Sequence, residues 1–252
     1  MRRRVFLAGA SGLALAAQPA AMKLFLLAGQ SNMAGRGVME PEDQVPMPGV
    51  FAQTKELEWK PAVDPLHYDK PIAAVGLGRS FARTLLNFGP QQKIGLVPAA
   101  MGGSSLDEWK PGGTLFTQAV RRAKAAAPAG VFCGILWHQG EADSGKEELA
   151  RSYIARWVPM MTALRTELGA PELPVVVGQL GEFLRTTPEG SPYSGLVNEQ
   201  LALLPLRARH VAFASSAGLK DKGDSVHFNT PGLHEFGRRY ALAYLSLDAA
   251  WG

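Results

Sequence analysis

Four clusters of polar residues in this sequence have the types that acyl-transfer chemistry requires. They are Ser31 in the stretch 29–35, Gly103 in the glycine-rich stretch 98–113, Gln139 and Glu141 in 137–143, and Asp224 with His227 near the C-terminus. A serine hydroxyl is a poor nucleophile at neutral pH unless a base lies within hydrogen-bond reach. The sequence offers such a base, a carboxylate that can orient it, and donors that can hold a developing oxyanion.

His227 is the candidate base for Ser31, and Asp224 is the residue that can orient it. Asp224 precedes His227 by three residues, so its carboxylate can fold back in the same turn and bind the other ring nitrogen. That contact fixes the tautomer and stabilises the imidazolium that forms during attack. Simpler interpretations remain open, since Ser31 also suits a helix N-cap and the pair also suits a turn aspartate followed by a surface histidine.

Two backbone N–H groups and one side-chain amide are candidate donors for the oxyanion. The N–H groups belong to Ser31 and Gly103, and the amide belongs to Gln139. Glycine at 102 and 103 is equally typical of a tight turn. Glu141 could orient Gln139 or the loop after Ser31, or it could simply lie at a helix terminus.

Buried strands and helices alternate around these clusters. Apolar runs predict strands at 24–27, 93–97, 131–137, 175–177 and 210–213, and the segments between them predict helices, the last of which begins near Thr230. This alternation predicts a parallel sheet with right-handed crossovers. The polar clusters then follow strand ends on one sheet edge, where open α/β sheets bind ligands. Residues 38–70 show no period, and we expect a long loop there.

The composition is that of a globular protein with a sizeable core, with 46% hydrophobic and 19% charged residues among 252. The net charge of +4 falls to +1 when Arg2, Arg3 and Arg4 are left out. No basic run follows them, so a nucleic-acid partner is not expected. We find no linker or repeat and expect a single domain over 22–252.

Residues 1–21 have the pattern of a signal peptide. Three arginines at 2–4 precede an apolar stretch at 5–17 that is too short to span a bilayer. The run RRVFL at 3–7 resembles the twin-arginine signal. We therefore expect a periplasmic or secreted protein with no stable membrane anchor after processing. The alternative is that Met22 is the true start and the protein is cytoplasmic.

Taken together, the four clusters resemble the blocks of the SGNH (GDSL-like) hydrolase superfamily in their order along the chain. These blocks are a serine after the first strand, a glycine after the second, an amide after the third, and Asp-x-x-His near the C-terminus. The local sequences are similar to the sialate O-acetylesterase / carbohydrate esterase family six branch, which includes acetylxylan esterases. They are GQSNMAG at 29–35, GGSSLDEW at 102–109, WHQGEAD at 137–143 and DSVHF at 224–228. The resemblance extends from about residue 23 to residue 240.

This resemblance implies a three-layer α/β/α flavodoxin-like SGNH hydrolase fold, here with a five-stranded parallel sheet, and no metal or other cofactor. By motif, Ser31 would be the nucleophile, His227 the base and Asp224 its orienter, while Ser31, Gly103 and Gln139 would form the oxyanion hole. Most members of the superfamily have Asn where Gln139 stands, although this branch often has Gln. The sequence around Ser31 lacks the Gly-x-Ser-x-Gly pattern, which argues against an ordinary α/β-hydrolase with a nucleophile elbow.

The function we expect is hydrolysis of O-acetyl esters on a carbohydrate, such as acetylated xylan, through an acetyl-enzyme on Ser31. Trp109 and Glu141 are candidate substrate-binding residues, and the loops at 38–70 and 181–194 are candidates for the wall that faces the sugar. A lipid or aryl esterase with the same serine is an alternative that predicts an apolar acyl cleft. A glycan-binding protein that kept the fold without turnover is another, and the intact Ser31, Asp224 and His227 argue against it.

Overall fold

A computed structural model describes residues 21–186 and 191–247, with only the backbone described at 185 and 186. The predicted signal peptide therefore lies outside the described residues, apart from Ala21. Within the described part, the strands are β1 (Met22–Gly29), β2 (Val50–Gln53), β3 (Trp59–Pro61), β4 (Ile94–Pro98), β5 (Gly130–His138), β6 (Val175–Gly178) and β7 (Val211–Ala214). The α-helices are α1 (Ser31–Ala34), α2 (Gly78–Phe88), α3 (Thr114–Ala126), α4 (Glu147–Arg151), α5 (Tyr153–Glu167), α6 (Ser194–Arg207) and α7 (Thr230–Leu245).

One sheet contains all seven strands in the order β3-β2-β4-β1-β5-β6-β7. Every neighbouring pair is parallel except β2 and β3, which are antiparallel. The predicted number of five strands was wrong, because β2 and β3 lie within 38–70, the segment that we expected to be a loop. They are four and three residues long, too short to show a period, and β3 is an edge strand.

Both faces of the sheet are covered by helices. Successive residues of β1 point to opposite faces of the sheet, so β1 supplies apolar side chains to both cores. Leu24 and Leu26 pack into a core that includes α3, α5 and α6. Phe25 and Leu27 pack into a second core with α2 and α7. The predicted three-layer α/β/α fold is confirmed. Among the described residues, no helix combines the length and the apolar character needed to cross a membrane.

The carboxyl ends of β4, β1 and β5 are joined directly to one another. The Met101 N–H donates to Gly29 O at 3.0 Å, and the Gln30 N–H donates to His138 O at 2.7 Å. Gly29 has a φ of +123°, and a Cβ there would collide with the backbone carbonyl of His138, so the position requires glycine. The residues that follow these three strands are consequently held side by side at one edge of the sheet.

Candidate active site

Ser31 lies at the start of α1, directly after the end of β1. Its Oγ is 3.1 Å from Nε2 of His227, and the residue is 6% exposed. The helix is capped by the backbone of Gln30 without a side-chain bond. The interpretation of Ser31 as an N-cap is therefore wrong, and the hydroxyl is instead directed to a histidine.

His227 is held on its other side by Asp224. Nδ1 of His227 is 2.7 Å from Oδ2 of Asp224, while Oδ1 of Asp224 accepts from the backbone N–H groups of Val226 at 3.0 Å and His227 at 2.8 Å. Partial burial acts to raise the pKa of Asp224, but the hydrogen bonds from His227 and Val226 outweigh it and hold that pKa at about 2. The carboxylate is therefore ionised near neutral pH, and it can accept the Nδ1 hydrogen.

The loop before α7 brings Asp224 and His227 to the same side. Oδ2 of Asp221 accepts from the N–H groups of Gly223 at 3.0 Å and Ser225 at 2.7 Å. Ser225 has a positive φ of 57°, which tightens the turn between the two functional side chains. The Asp-x-x-His spacing is thus produced by a compact loop that its own side chains stabilise.

Asn32 connects the loop that carries Ser31 to the loop that carries His227. Its Oδ1 accepts from the backbone N–H of Phe228 at 3.1 Å, and its Nδ2 donates to the carbonyl of Val226 at 3.2 Å. The same Nδ2 donates to Oε1 of Glu141 at 2.7 Å. One buried amide therefore holds both neighbours of His227 in place relative to Ser31. Sequence reasoning missed this residue, although a polar residue next to the candidate nucleophile was a usable signal.

Glu141 is a buried residue that holds the side chain of Asn32 in place and does not line a substrate surface. It is 6% exposed, its Oε1 lies 3.3 Å from Nε2 of His138, and its Oε2 is buried without a partner in the described chain. Burial acts to raise the pKa of Glu141, but His138 and the hydrogen bond from Asn32 lower it below its usual value. The prediction that Glu141 binds substrate was wrong, because its carboxylate is buried and directs Oε1 to Asn32 and His138.

Two backbone N–H groups near Ser31 are free to bind an oxyanion. Within the residues that the structure describes, neither the N–H of Ser31 nor that of Gly103 has a hydrogen-bond partner. Gly103 has a φ of +81°, and the neighbourhood of its missing side chain contains only Nζ of Lys70, 3.7 Å from an ideal Cβ. The preceding Gly102 N–H donates to Asp69 at 2.9 Å, which fixes the loop.

Gln139 is not free to act as a third donor. Its side chain is fully buried, and its Nε2 donates to Ser104 O at 3.2 Å and to Asp143 Oδ2 at 2.6 Å. Its Oε1 accepts from the hydroxyl of Tyr153 at 2.8 Å. Both amide hydrogens are used, so the structure contradicts the predicted oxyanion role. Gln139 instead ties the loop after β5 to the loop after β4.

Trp109 belongs to the core and cannot stack on a sugar. It is fully buried, its Nε1 donates to Ser104 Oγ at 3.0 Å, and its ring meets Trp137 edge to face at 5.1 Å. The prediction that it binds substrate was wrong. A tryptophan in a polar glycine-rich loop suggested exposure, but a 3-10 turn over Leu106–Trp109 directs the ring inward.

The other histidines do not contact Ser31 in the described part of the chain. His138 is fully buried, with Nδ1 3.2 Å from the hydroxyl of Tyr240. His67 is buried as well, and its burial lowers its pKa to about 4. Among residues 21–186 and 191–247, no group of three or more His, Cys, Asp or Glu side chains is placed to hold a metal ion.

Comparison with known proteins shows which family shares this fold and site. Residues 21–246 match the family described as carbohydrate esterase, sialic acid-specific acetylesterase. A protein of Arabidopsis thaliana, named as a probable carbohydrate esterase, is 31% identical over 244 residues, which cover 89% of this chain and 90% of the relative. The X-ray structure of an Arabidopsis thaliana protein, 30% identical, superposes with a TM-score of 0.81 over 90% of this chain and 98% of that one.

Two further solved structures share the fold at lower identity. NanS is 19% identical, with a TM-score of 0.74 over 90% of this chain and 98% of its own. A carbohydrate acetylesterase from Xanthomonas citri is 22% identical, with a TM-score of 0.69 over 89% of this chain and 56% of its own. At these identities the likeness establishes the fold alone.

The three-layer fold and the Ser31–His227 pair at its sheet edge define the chain as an SGNH-type hydrolase. The family match and the Arabidopsis relative show that it belongs to the carbohydrate esterase family described as sialic acid-specific acetylesterase. It is accordingly a carboxylic ester hydrolase. The resemblance seen in the sequence is confirmed, and the alternative of a binding protein without turnover is set aside.

Proposed function

We propose that the protein hydrolyses O-acetyl esters on a carbohydrate through an acetyl-enzyme on Ser31. The observation that carries this proposal is the chain of contacts from Ser31 Oγ to His227 Nε2, at 3.1 Å, and from His227 Nδ1 to Asp224 Oδ2, at 2.7 Å. A hydroxyl, an imidazole and an ionised carboxylate in this order form the arrangement that activates a serine.

In the first half of the reaction, Nε2 of His227 removes the proton from Ser31 Oγ as that oxygen attacks the acetyl carbonyl carbon. The negative charge that develops on the carbonyl oxygen is stabilised by the N–H groups of Ser31 and Gly103. The bond to the sugar oxygen then breaks. The sugar oxygen takes the proton from His227 and leaves as an alcohol, while the acetyl group stays on Ser31.

In the second half, water replaces the sugar. His227 removes a proton from the water, and the resulting hydroxide attacks the acetyl carbonyl carbon. The same two N–H groups stabilise the second oxyanion. Acetic acid leaves as the proton returns from His227 to Ser31 Oγ, and it then ionises to acetate in solution. Asp224 holds the ring in one tautomer throughout and stabilises its charged form.

The substrate class we propose is an acetylated xylan or a related polysaccharide or oligosaccharide. Membership of a carbohydrate esterase family supports a sugar, and so does the name of the Arabidopsis relative. The family description also names sialic acid, so O-acetylated sialic acid belongs in the same substrate panel. No cofactor takes part in the proposed steps.

Acetate release is the test of this function. Wild type should release acetate from 4-nitrophenyl acetate and from at least one acetylated carbohydrate in the panel. Ser31→Ala should lose activity on both while remaining folded by circular dichroism. Ser246→Ala, which removes an exposed hydroxyl at the end of α7, should keep the wild-type rate. A Ser31→Ala variant with the wild-type rate would refute the role of Ser31.

We also propose that the protein is exported in folded form, because RRVFL at 3–7 resembles the twin-arginine signal. Replacing Arg3 and Arg4 together by Lys should retain the protein in the cytoplasm of a bacterial host. Arg2→Lys, outside the arginine pair, should leave export unchanged. Cell fractionation followed by immunoblotting measures the outcome. Periplasmic or secreted protein from the double variant would contradict the proposal.

A further inference from the structure

The second proposed oxyanion donor, the N–H of Gly103, lies in a tight turn after β4. The turn runs from Met101 to Ser104 and is closed by the Ser104 N–H, which donates to Met101 O at 3.3 Å. Gly103 has a φ of +81°, and a positive φ at the second central residue is typical of a type II turn. Because Gly102 and Gly103 fill both central positions, the turn alone does not exclude type I, in which the peptide that carries the Gly103 N–H is reversed. Contacts from outside the turn must therefore select its conformation.

The contact that restrains this turn from outside is a hydrogen bond between Gly102 and Asp69. Oδ2 of Asp69 accepts from the Gly102 N–H at 2.9 Å and from Nη2 of Arg36 at 2.5 Å. The side chains of Arg36 and Asp69 are only 2% and 1% exposed. Burial acts to raise the pKa of Asp69, but the bonds from Arg36 and Gly102 outweigh it and lower that pKa. The turn is thus attached to a buried pair of opposite charges.

Arg36 continues this connection to the helix that carries Ser31. Its Nη1 donates to the carbonyl of Gly35 at 2.6 Å, and the Gly35 N–H donates to the carbonyl of Ser31 at 2.9 Å. The N–H of Ser31 is the first proposed oxyanion donor. The segments that carry the two donors are therefore joined by one chain of hydrogen bonds, which passes through Arg36 and Asp69.

The charged pair also explains why residue 102 is a glycine. A Cβ at Gly102 would collide with Nη2 of Arg36 and would lie 2.9 Å from Oδ2 of Asp69. Both of these atoms are held by the hydrogen bonds described above, so neither can move aside without weakening one of them. The absence of a side chain at Gly102 allows the pair to approach the backbone of the turn closely.

We propose that Asp69 is a positioning residue for the oxyanion hole, and that Arg36 holds the carboxylate of Asp69 in place. Asp69 acts through the backbone of Gly102. It keeps the Gly103 N–H in the orientation that can bind the carbonyl oxygen as negative charge develops on it. This inference rests on the proposed function, because the oxyanion forms only when Ser31 attacks an ester.

Two substrates that differ in one atom measure the oxyanion hole separately from the rest of the site. In the thionoester of 4-nitrophenyl acetate, sulfur replaces the carbonyl oxygen, and sulfur is a weak hydrogen-bond acceptor. Asp69→Asn should lower kcat/KM for the ester about 10- to 100-fold and should lower kcat/KM for the thionoester much less. Absorbance of the released 4-nitrophenolate measures both. A ratio of the two kcat/KM values equal to that of wild type would overturn the inference.

Gly102→Ala disturbs the same pair from the other side and removes no charge. It should lower the ratio of ester to thionoester kcat/KM in the same direction as Asp69→Asn. This variant decides the question if circular dichroism shows that Asp69→Asn does not fold, since a buried Arg36 without its partner is destabilising. A folded Gly102→Ala variant with the wild-type ratio would overturn the inference.

Two further variants separate the oxyanion hole from general damage to the protein. Asp64→Asn removes the carboxylate of another buried pair, which Asp64 forms with Arg79 at 3.4 Å, and it should leave the ratio unchanged. Asn32→Ala acts through His227, so it should slow both substrates alike. A ratio that fell in either variant as far as in Asp69→Asn would overturn the inference, because the ratio would then respond to any disturbance.

Failure of this inference can be told apart from failure of the proposed function. A wild-type protein that hydrolyses neither substrate, or a Ser31→Ala variant with the wild-type rate, would refute the proposed function and with it the role of Asp69. A wild-type protein that hydrolyses the ester through Ser31, with a ratio that Asp69→Asn leaves unchanged, would refute the role of Asp69 alone.

Discussion

The side chain of Asn32 accepts a hydrogen bond from the backbone N–H of Phe228 at 3.1 Å, across 196 residues of sequence. Phe228 follows His227, and Asn32 follows Ser31, so this bond joins the two neighbours of the Ser31–His227 pair. The carbonyl of Val226 is bound to the same amide at 3.2 Å. The two bonds from the Asn32 side chain to the backbone on either side of His227 therefore help to fix the distance between Ser31 Oγ and His227 Nε2. That distance does not depend only on the hydrogen bond between the two residues themselves.

Asn32→Ala should lower kcat with little change in KM, because Asn32 acts through the position of His227 and does not touch the substrate. A loss of about 10- to 100-fold is expected, since small displacements of a catalytic group are costly. Steady-state kinetics on 4-nitrophenyl acetate measure both constants. Asn198→Ala is the matched control, because Asn198 is a buried amide that bonds the N–H and carbonyl of Leu180 away from Ser31.

Both amide variants should lower the free energy of unfolding, by about 1–3 kcal/mol, but only Asn32→Ala should lower kcat. An equal kcat for the two variants would show that Asn32 is purely structural.

Glu141→Gln should destabilise the protein in a pH-dependent way. The pKa of Glu141 is lower in the folded protein than its ordinary value of 4.5, so the carboxylate contributes stability that is present above about pH 4.5 and lost as the pH falls below it. Urea denaturation of wild type and variant at several pH values measures the difference. Glu147→Gln, at an exposed ion pair with Arg151, should have a small effect throughout.

The expected difference between wild type and Glu141→Gln is largest near neutral pH and shrinks on acidification. A difference that grew on acidification would mean that burial, and not the contacts with Asn32 and His138, governs the ionisation of Glu141.

Asp224→Asn should lower kcat/KM about a hundredfold or more, because an amide can hold the imidazole in the wrong tautomer. The pKa of Asp224 is about 2, so its carboxylate is already ionised above about pH 3. Steady-state kinetics of both proteins near pH 7, where the carboxylate of the wild type is ionised, measure the loss. A variant that keeps the wild-type kcat/KM would contradict the role of Asp224 as the residue that orients His227.

Trp109→Phe should affect stability and leave sugar recognition unchanged. The variant loses the bond from the indole N–H to Ser104 and part of the contact with Trp137, which should cost about 1–3 kcal/mol. KM for an acetylated carbohydrate should stay the same in the folded variant. Thermal denaturation and steady-state kinetics measure the two effects. A raised KM with unchanged stability would restore Trp109 as a sugar-binding residue.

Much of this fold could be predicted because its central strands are continuous apolar runs. The run that contains Leu24 and Leu26 is buried on both faces, and polar clusters follow directly where β1, β4 and β5 end. The edge strands could not be predicted. Their few residues, at Val50–Gln53 and Trp59–Pro61, are defined by pairing with neighbours and not by a pattern of their own.

In the site, residue types predicted which side chains could react, but only tertiary contacts decide which atoms are free. The local loop brings Asp224 to His227, so their spacing was informative. Gln139 and Trp109 were misjudged because their partners, Asp143, Tyr153 and Ser104, are set by the packing of separate loops. Glycine at 103 was informative, since the backbone there has a positive φ.

The most direct test of the account is detection of the acetyl-enzyme itself. Wild type mixed with 4-nitrophenyl acetate would be quenched in acid during turnover, digested and analysed by mass spectrometry. One added acetyl group is expected on the peptide that contains Ser31, and no such adduct is expected in Ser31→Ala. Turnover without an adduct on Ser31, or an acetyl group found on another residue of an active Ser31→Ala variant, would contradict it.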